Sequence, residues 1–142
     1  MKKTEGRTKI PAPTGVTALL KQAAYFRYEL RKFLRFSEMA ARRSGLTPQQ
    51  HQLMLGVAGH TGRGEASISE LSEFLQERHN AVVGLVQRAE RAGWVFKTAD
   101  PDDRRRMRVR LTPLGRRRLH HLTWQHRREL QRLSQLLRQF TS

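Results

Sequence analysis

The sequence predicts a mainly α fold, with a small β-hairpin set between two long helices and following a helix-turn-helix. Three observations carry this reading. Ser67-Ile68-Ser69-Glu70 places a serine three residues before a glutamate at the head of an apolar run, which is a capping box. Val82, Leu85, Val86 and Ala89 recur at helical spacing just beyond a turn at Gln76-Glu77-Arg78. Arg106-Met107-Arg108-Val109-Arg110-Leu111 alternates strictly, as a half-buried strand does.

Taken in order, residues 1–13 hold Lys2, Lys3, Arg7 and Lys9, two prolines and little that is apolar, so they read as a disordered basic tail. The remainder, 14–142, reads as a single domain, with a central lobe at 46–112 between helical regions at 14–45 and 113–140. In the first helix Val16, Leu19, Leu20, Ala23, Phe26, Leu30, Phe33, Leu34, Ser37 and Ala41 follow the 3.6-residue period, with Thr14 as cap and Gly45 as stop. A helix of about 30 residues spans about 45 Å, longer than a lobe of this size covers. Its excess apolar face points to a partner chain.

The second helix is capped by Thr47, with Pro48 at its first position and Gln50 completing a capping box; Leu53, Met54, Val57 and Ala58 form its core face. His51 reads as a surface or satisfied histidine, and His60 to Gly64 as a loop. The third helix buries Ile68, Leu71, Phe74 and Leu75. The fourth runs to about Ala92 and stops at Gly93, where a left-handed cap favours glycine. Trp94 to Ala99 has strand composition, Asp100-Pro101-Asp102-Asp103 is turn chemistry, and Arg104-Arg105-Arg106 sits at the tip of the hairpin. Thr112-Pro113 then starts a last helix with a seam of Leu119, Leu122, His126, Leu130, Leu133, Leu137 and Phe140.

A basic hairpin directly after the second helix of a helix-turn-helix is a wing. The sequence here resembles the MarR (multiple antibiotic resistance regulator) family of winged helix-turn-helix transcriptional regulators. The resemblance rests on Glu70-Leu71, Leu75, Val82, Leu85-Val86, Arg88, Glu90 and Gly93. To these it adds Asp100-Pro101-x-Asp103-Arg104-Arg105 and Leu111-Thr112-Pro113-x-Gly115. Gln76 replaces the usual turn glycine, Arg78-His79 stands where a Ser-Pro type start is usual, and the C-terminal region is short for a pair of dimerisation helices. The resemblance implies a homodimeric repressor, with the long flanking helices pairing the two copies. It also implies release by a small aromatic effector, whose pocket residues do not carry over.

The candidate double-stranded DNA contacts follow from the motif. On the fourth helix the outward positions are His79, Asn80, Val83, Gly84, Gln87, Arg88 and Arg91, and Arg78 and Ala81 join them as candidate contacts; the first turn of such a helix reaches base edges in the major groove. Asn80 has the donor–acceptor pair that reads adenine, and Arg78 or Arg88 suits guanine or phosphate. Ser67 and Ser69 stand at a helix N-terminus, where free amides favour anions. Arg104, Arg105 and Arg106 are the wing's candidate contacts: Arg105 and Arg106 suit a narrow minor groove, and the resemblance implies that Arg104 also stiffens the wing by pairing with Asp100 or Asp103. The triplet Arg116-Arg117-Arg118 is placed to add phosphate contacts. Two copies with recognition helices one DNA turn apart would require a pseudo-palindromic site.

Composition narrows the classes independently. A net charge of +16 over 142 residues is far beyond what solubility needs and points to a polyanionic partner. Charge alone does not choose DNA over RNA, and a basic winged-helix module binding RNA or a protein partner is the alternative. There is no cysteine, which excludes disulfides and thiol redox sensing. No run approaches the ~18 apolar residues of a membrane span and no signal peptide is evident, so the expected location is cytoplasmic, away from the membrane. His120, His121 and His126 do not share a helix face at i, i+4, so no metal site is read. No glycine phosphate loop, paired carboxylates or nucleophile motif marks an enzyme, and no cofactor is expected.

Overall fold

A computed structural model describes residues 9, 10 and 13–141; the rest of the expected basic tail lies outside the described residues. The elements are α1 (Pro13–Arg43), α2 (Pro48–Leu55), a π turn (Gly56–His60), β1 (Glu65–Ser67), α3 (Ile68–Leu75), α4 (His79–Arg91), β2 (Val95–Ala99), β3 (Met107–Leu111) and α5 (Pro113–Thr141).

The caps are those the sequence encodes. Thr47 and Ser67 each accept the amide three residues on, and the side chains of Gln50 and Glu70 reach back to the cap amides. Gln76 ends α3 in the left-handed region at φ 52°, the conformation glycine usually supplies, while its side-chain amide donates to the Glu73 carbonyl at 2.7 Å. Helix α1 begins at Pro13, so Thr14 lies inside it rather than capping it. The segment expected as a loop from His60 is preceded by a π turn. There Gly56 lies under the Phe74 ring, where a Cβ would sit 2.6 Å from a ring carbon. Phe74, expected in the core, is part-exposed and stacks on His60 with ring centres 5.2 Å apart.

The wing is not a two-stranded hairpin. Glu65 to Ser67 adds a third antiparallel strand, giving the order β1-β3-β2, with Glu65 opposite Arg110 and Ser67 opposite Arg108. Val109 and Leu111 turn inward as the alternation requires, whereas Met107, beyond the core's edge, is part-exposed. The core fills the space between α2, α3, α4 and this sheet with Leu53, Met54, Val57, Leu71, Val82, Val86, Val95 and Val109.

Helices α1 and α5 pack antiparallel along the other side of α2. Phe26 meets Phe140 edge-on at 5.5 Å, Arg132 reaches Glu29 at 3.5 Å, and Arg118 donates to the Ser44 carbonyl at 2.6 Å. On α5 the inward line is Leu119, Leu122, His126, Leu133 and Leu136; Leu130 and Leu137, expected in the seam, are exposed. Helical drift explains the switch, since a straight α-helix turns about 20° per heptad away from a 3.5-residue seam.

His51 is buried at 4% exposure, with its ring 5.3 Å from that of His126. His126 donates Nδ1–H to the Leu122 carbonyl at 2.6 Å, which leaves Nε2 to accept the Ser37 hydroxyl at 3.0 Å; Phe33 and Phe36 pack edge-on against its ring. Burial, then the neighbouring His126, lowers the His51 pKa from 6.5 to about 4. A lowered histidine pKa means the unfolded chain takes up the proton first. Stability from this group is therefore full above pH 6.5 and lost as pH falls toward 4. Thermal melts of the wild type should show a drop in that window that His51→Leu largely removes. An equal drop in the variant would assign it to other groups.

Candidate nucleic-acid interface

Two exposed surfaces meet at the open side of the lobe: the outer face of α4 and the wing. On α4 the buried line Val82, Leu85, Val86 and Ala89 fixes the opposite face, whose centre is Asn80, Gly84, Gln87 and Arg91. His79 and Val83 form its wing-side flank. Ala81 and Arg88 form the other flank, and both line a cleft against Gln49 and Gln52 of α2.

The two helix starts differ. At α3 the Ser67 hydroxyl is committed to the Glu70 amide at 3.1 Å, and the Glu70 carboxylate accepts the Ser67 amide at 3.0 Å and Arg63 at 2.8 Å. The Ser67 amide first, with Arg63 adding to it, holds the Glu70 carboxyl below its ordinary range. That end is internally satisfied, although Ser69 stays exposed. At α4 the cap residue Arg78 makes no side-chain cap, so the first amides, at His79, Asn80 and Ala81, keep their hydrogen-bonding capacity for an external acceptor.

The wing tip is shaped by two aspartates. Asp100 accepts the Asp102 amide at 2.9 Å and Asp103 accepts the Arg105 amide at 3.0 Å, two side-chain-closed turns that fold the tip back. The Asp102 amide, with Arg108 nearby, keeps the Asp100 carboxyl ionised below its usual range. Arg104, expected to pair with these aspartates, does not: Arg106 approaches Asp103 at 3.8 Å and Arg108 approaches Asp100 at 3.4 Å. Arg104, Arg105 and Arg106 all project into solvent.

Between wing and helix lies a concavity of about 670 Å³ that brings together Ser67, Ser69, His79, Val83, Arg105 and Arg106. Its floor holds a group that sequence reasoning missed. The buried Glu65 carboxylate accepts Arg108 at 2.6 Å and Arg110 at 2.7 Å, tying β1 to β3. Strand β1 is three residues long, too short for alternation to show. The one available signal was the run of arginines facing one way on β3, which called for an acidic partner. The arrangement offers exposed guanidiniums and open helix amides around one groove, with the Asn80 side chain exposed on the adjoining face of α4. That chemistry holds phosphates and reads base edges.

Residues 44–106 match the model of the MarR family. Over that stretch the chain is similar to the MarR family. Solved MarR-family structures align over most of its length. A MarR family transcription regulator is 25% identical with a TM-score of 0.70, over 88% of this chain and 82% of that one. A MarR mutant from E. coli, complexed with operator DNA, is 18% identical with a TM-score of 0.65, over 83% of each chain. BpsR of Bordetella bronchiseptica, whose DNA binding is regulated by 6-hydroxynicotinic acid, is 19% identical with a TM-score of 0.62, over 84% of this chain and 92% of that one. No curated protein matches the chain.

The Leu-Thr-Pro-x-Gly run has a structural task. The Thr112 hydroxyl donates to the Gly93 carbonyl at 2.6 Å and accepts the Gly115 amide at 3.0 Å, so one side chain joins the end of α4 to the start of α5. Arg118, grouped with Arg116 and Arg117 as a phosphate contact, is occupied instead by the Ser44 carbonyl and the face of Trp94.

Proposed function

We propose that this protein is a sequence-specific double-stranded DNA-binding transcriptional regulator, working as a homodimeric repressor that a small aromatic effector releases. The observation that carries this is the shared concavity of α4 and the wing, with open amides at the α4 start and Arg105 and Arg106 at its rim. The match of residues 44–106 to the MarR family model and the operator complex of a structural relative support it. In this reading Asn80, Gly84 and Gln87 face the major groove, Arg78 and Arg88 flank it, and the wing arginines enter the minor groove. Gly84 brings the helix backbone close to the bases.

The dimer reading rests on apolar surface that a single chain leaves uncovered. Leu19, Leu20 and Leu34 on α1, and Trp124, Leu130 and Leu137 on α5, are exposed, Trp124 at 65%. Isolated leucines on a surface are ordinary; a set spread along two paired helices is a face for another chain. Two-fold pairing sets the recognition helices about one DNA turn, 34–36 Å, apart. The effector reading rests on the regulation of BpsR by 6-hydroxynicotinic acid, and no residue is assigned to it.

Selection from randomised DNA, with sedimentation of the complex, tests the proposal. It should return a pseudo-palindrome bound by a dimer; no enriched sequence, or a monomer protecting one half-site, would overturn it. On the selected operator, Asn80→Ala should cost about 1–3 kcal/mol and on random DNA little. Equal losses on both would make Asn80 a phosphate contact or a structural residue.

A further inference from the structure

The concavity between α4 and the wing is close to neutral. Among the described residues that line it, Arg63, Arg105, Arg106 and Arg108 face three carboxylates, those of Glu65, Glu70 and Asp100. Its hold on phosphates therefore depends on which guanidiniums are available. Arg108 is spent, since it reaches Glu65 at 2.6 Å and Asp100 at 3.4 Å. Arg105 and Arg106 are exposed at the wing tip. Arg63 stands on a different element, the loop that leads into β1, and no motif in the sequence contains it.

That loop is built to present Arg63. Gly62 and Gly64 on either side take φ of 75° and 74°, a left-handed conformation that other residues resist. The Arg63 amide donates to the Thr61 hydroxyl at 3.2 Å, and that hydroxyl donates to the Glu65 carbonyl at 2.8 Å. The backbone is thus tied down while the Arg63 side chain is 57% exposed. Its contact with Glu70 is incomplete. Both carboxylate oxygens accept from one nitrogen, Nη2, at 2.8 and 2.9 Å. Among the described residues no acceptor meets Nε or Nη1, so the paired fork of the guanidinium is unfilled. An exposed pair of this kind contributes little to stability. Glu70 is also held without it, because its carboxylate accepts the Ser67 amide at 3.0 Å and closes the cap of α3.

The position of Arg63 gives the open nitrogens a use. In a duplex the sugar-phosphate backbone is what separates the major groove from the minor. With α4 in one groove and the wing in the next, the strand between those grooves crosses the concavity between α4 and the wing. Arg63 lines that concavity together with Ser69 and His79. A phosphate offers the guanidinium fork two oxygens, as a carboxylate does.

We infer that Arg63 is a further backbone contact of this interface, whose guanidinium closes on a DNA phosphate and is held back in the free protein by Glu70. The inference rests on the reading of α4 and the wing as duplex-binding. Glu70 competes with DNA for Arg63, which makes their ion pair an autoinhibitory contact that a duplex relieves. As a phosphate contact, Arg63 adds hold and no sequence preference.

Titrations across salt test this on the selected operator and on a duplex of unrelated sequence, with urea denaturation beside them. Arg63→Gln should weaken binding about tenfold on both duplexes, the size of one lost charge-assisted contact, and lower the log–log salt slope by about 0.9. The urea midpoint should not move. Arg63→Lys should restore the slope and only part of the affinity, since an ammonium keeps the charge without the fork. Glu70→Gln is the deciding variant. Glutamine serves in a capping box as glutamate does, so α3 stays capped while the ion pair is lost. Binding should then tighten by about two- to fivefold, the strength of an exposed ion pair. If Arg63 only steadied Glu70 and α3, Glu70→Gln would weaken binding as Arg63→Gln does. That result, or no change, overturns the inference. So does unchanged affinity for Arg63→Gln, or a loss confined to the operator. Binding that Arg105→Ala with Arg106→Ala weakens and Arg63→Gln does not sinks this inference alone, whereas a protein that binds no duplex sinks the parent reading with it.

Discussion

Gly115→Ala should destabilise the protein by about 3 kcal/mol, the upper end of the usual range for overpacking, because the atoms it meets cannot move. Gly115 is buried in the first turn of α5 and lies directly on the Trp94 carbonyl, which a methyl group would overlap. That oxygen belongs to the backbone leading into β2 and accepts the Thr112 amide at 3.0 Å, so it has no rotamer through which to yield. Helix α5 would have to lift off the sheet, taking the Thr112 bonds to Gly93 and Gly115 with it. Gly59→Ala is the control, because a Cβ there meets nothing within 4 Å. Urea denaturation reads both, and a Gly115→Ala loss under about 1 kcal/mol, within the reach of an ordinary surface change, would refute the packing argument.

The second large effect is on binding. Arg105→Ala with Arg106→Ala should weaken operator binding at least tenfold and lower the log–log salt slope by up to about 1.8, since each lost phosphate contact removes about 0.9. Stability should hardly change. Arg106 meets Asp103 only at 3.8 Å in solvent, and an exposed pair of this kind contributes little. The tip is instead held by Asp100 and Asp103 accepting backbone amides, which the substitutions leave in place. A titration across salt with unchanged affinity and slope would remove these arginines from the interface.

The sequence by itself determined what neighbouring residues decide. A capping box joins residues three apart, so Thr47–Gln50 and Ser67–Glu70 were legible and mark the starts of α2 and α3 within a residue. Helical period picked out Val82, Leu85, Val86 and Ala89 as the buried line of α4, and with it the outward set around Asn80. The wing signature and the stop at Gly93, with its φ of 86°, are equally local.

Only the tertiary structure decided pairings across long stretches of chain. Glu65 meets Arg108 and Arg110 from 43 and 45 residues away, and nothing in a three-residue strand announces that it will join the sheet. The partners of Asp100 and Asp103 moved from Arg104 to Arg108 and Arg106 because tip geometry, not adjacency, sets which guanidinium is in reach. The sequence leaves His51 as a surface or a satisfied histidine, and the choice is made only when α5 packs His126 against it. The inward line of α5 passes through Leu136 and not Leu137, since a straight helix drifts off a heptad seam and the position of α1 selects the register.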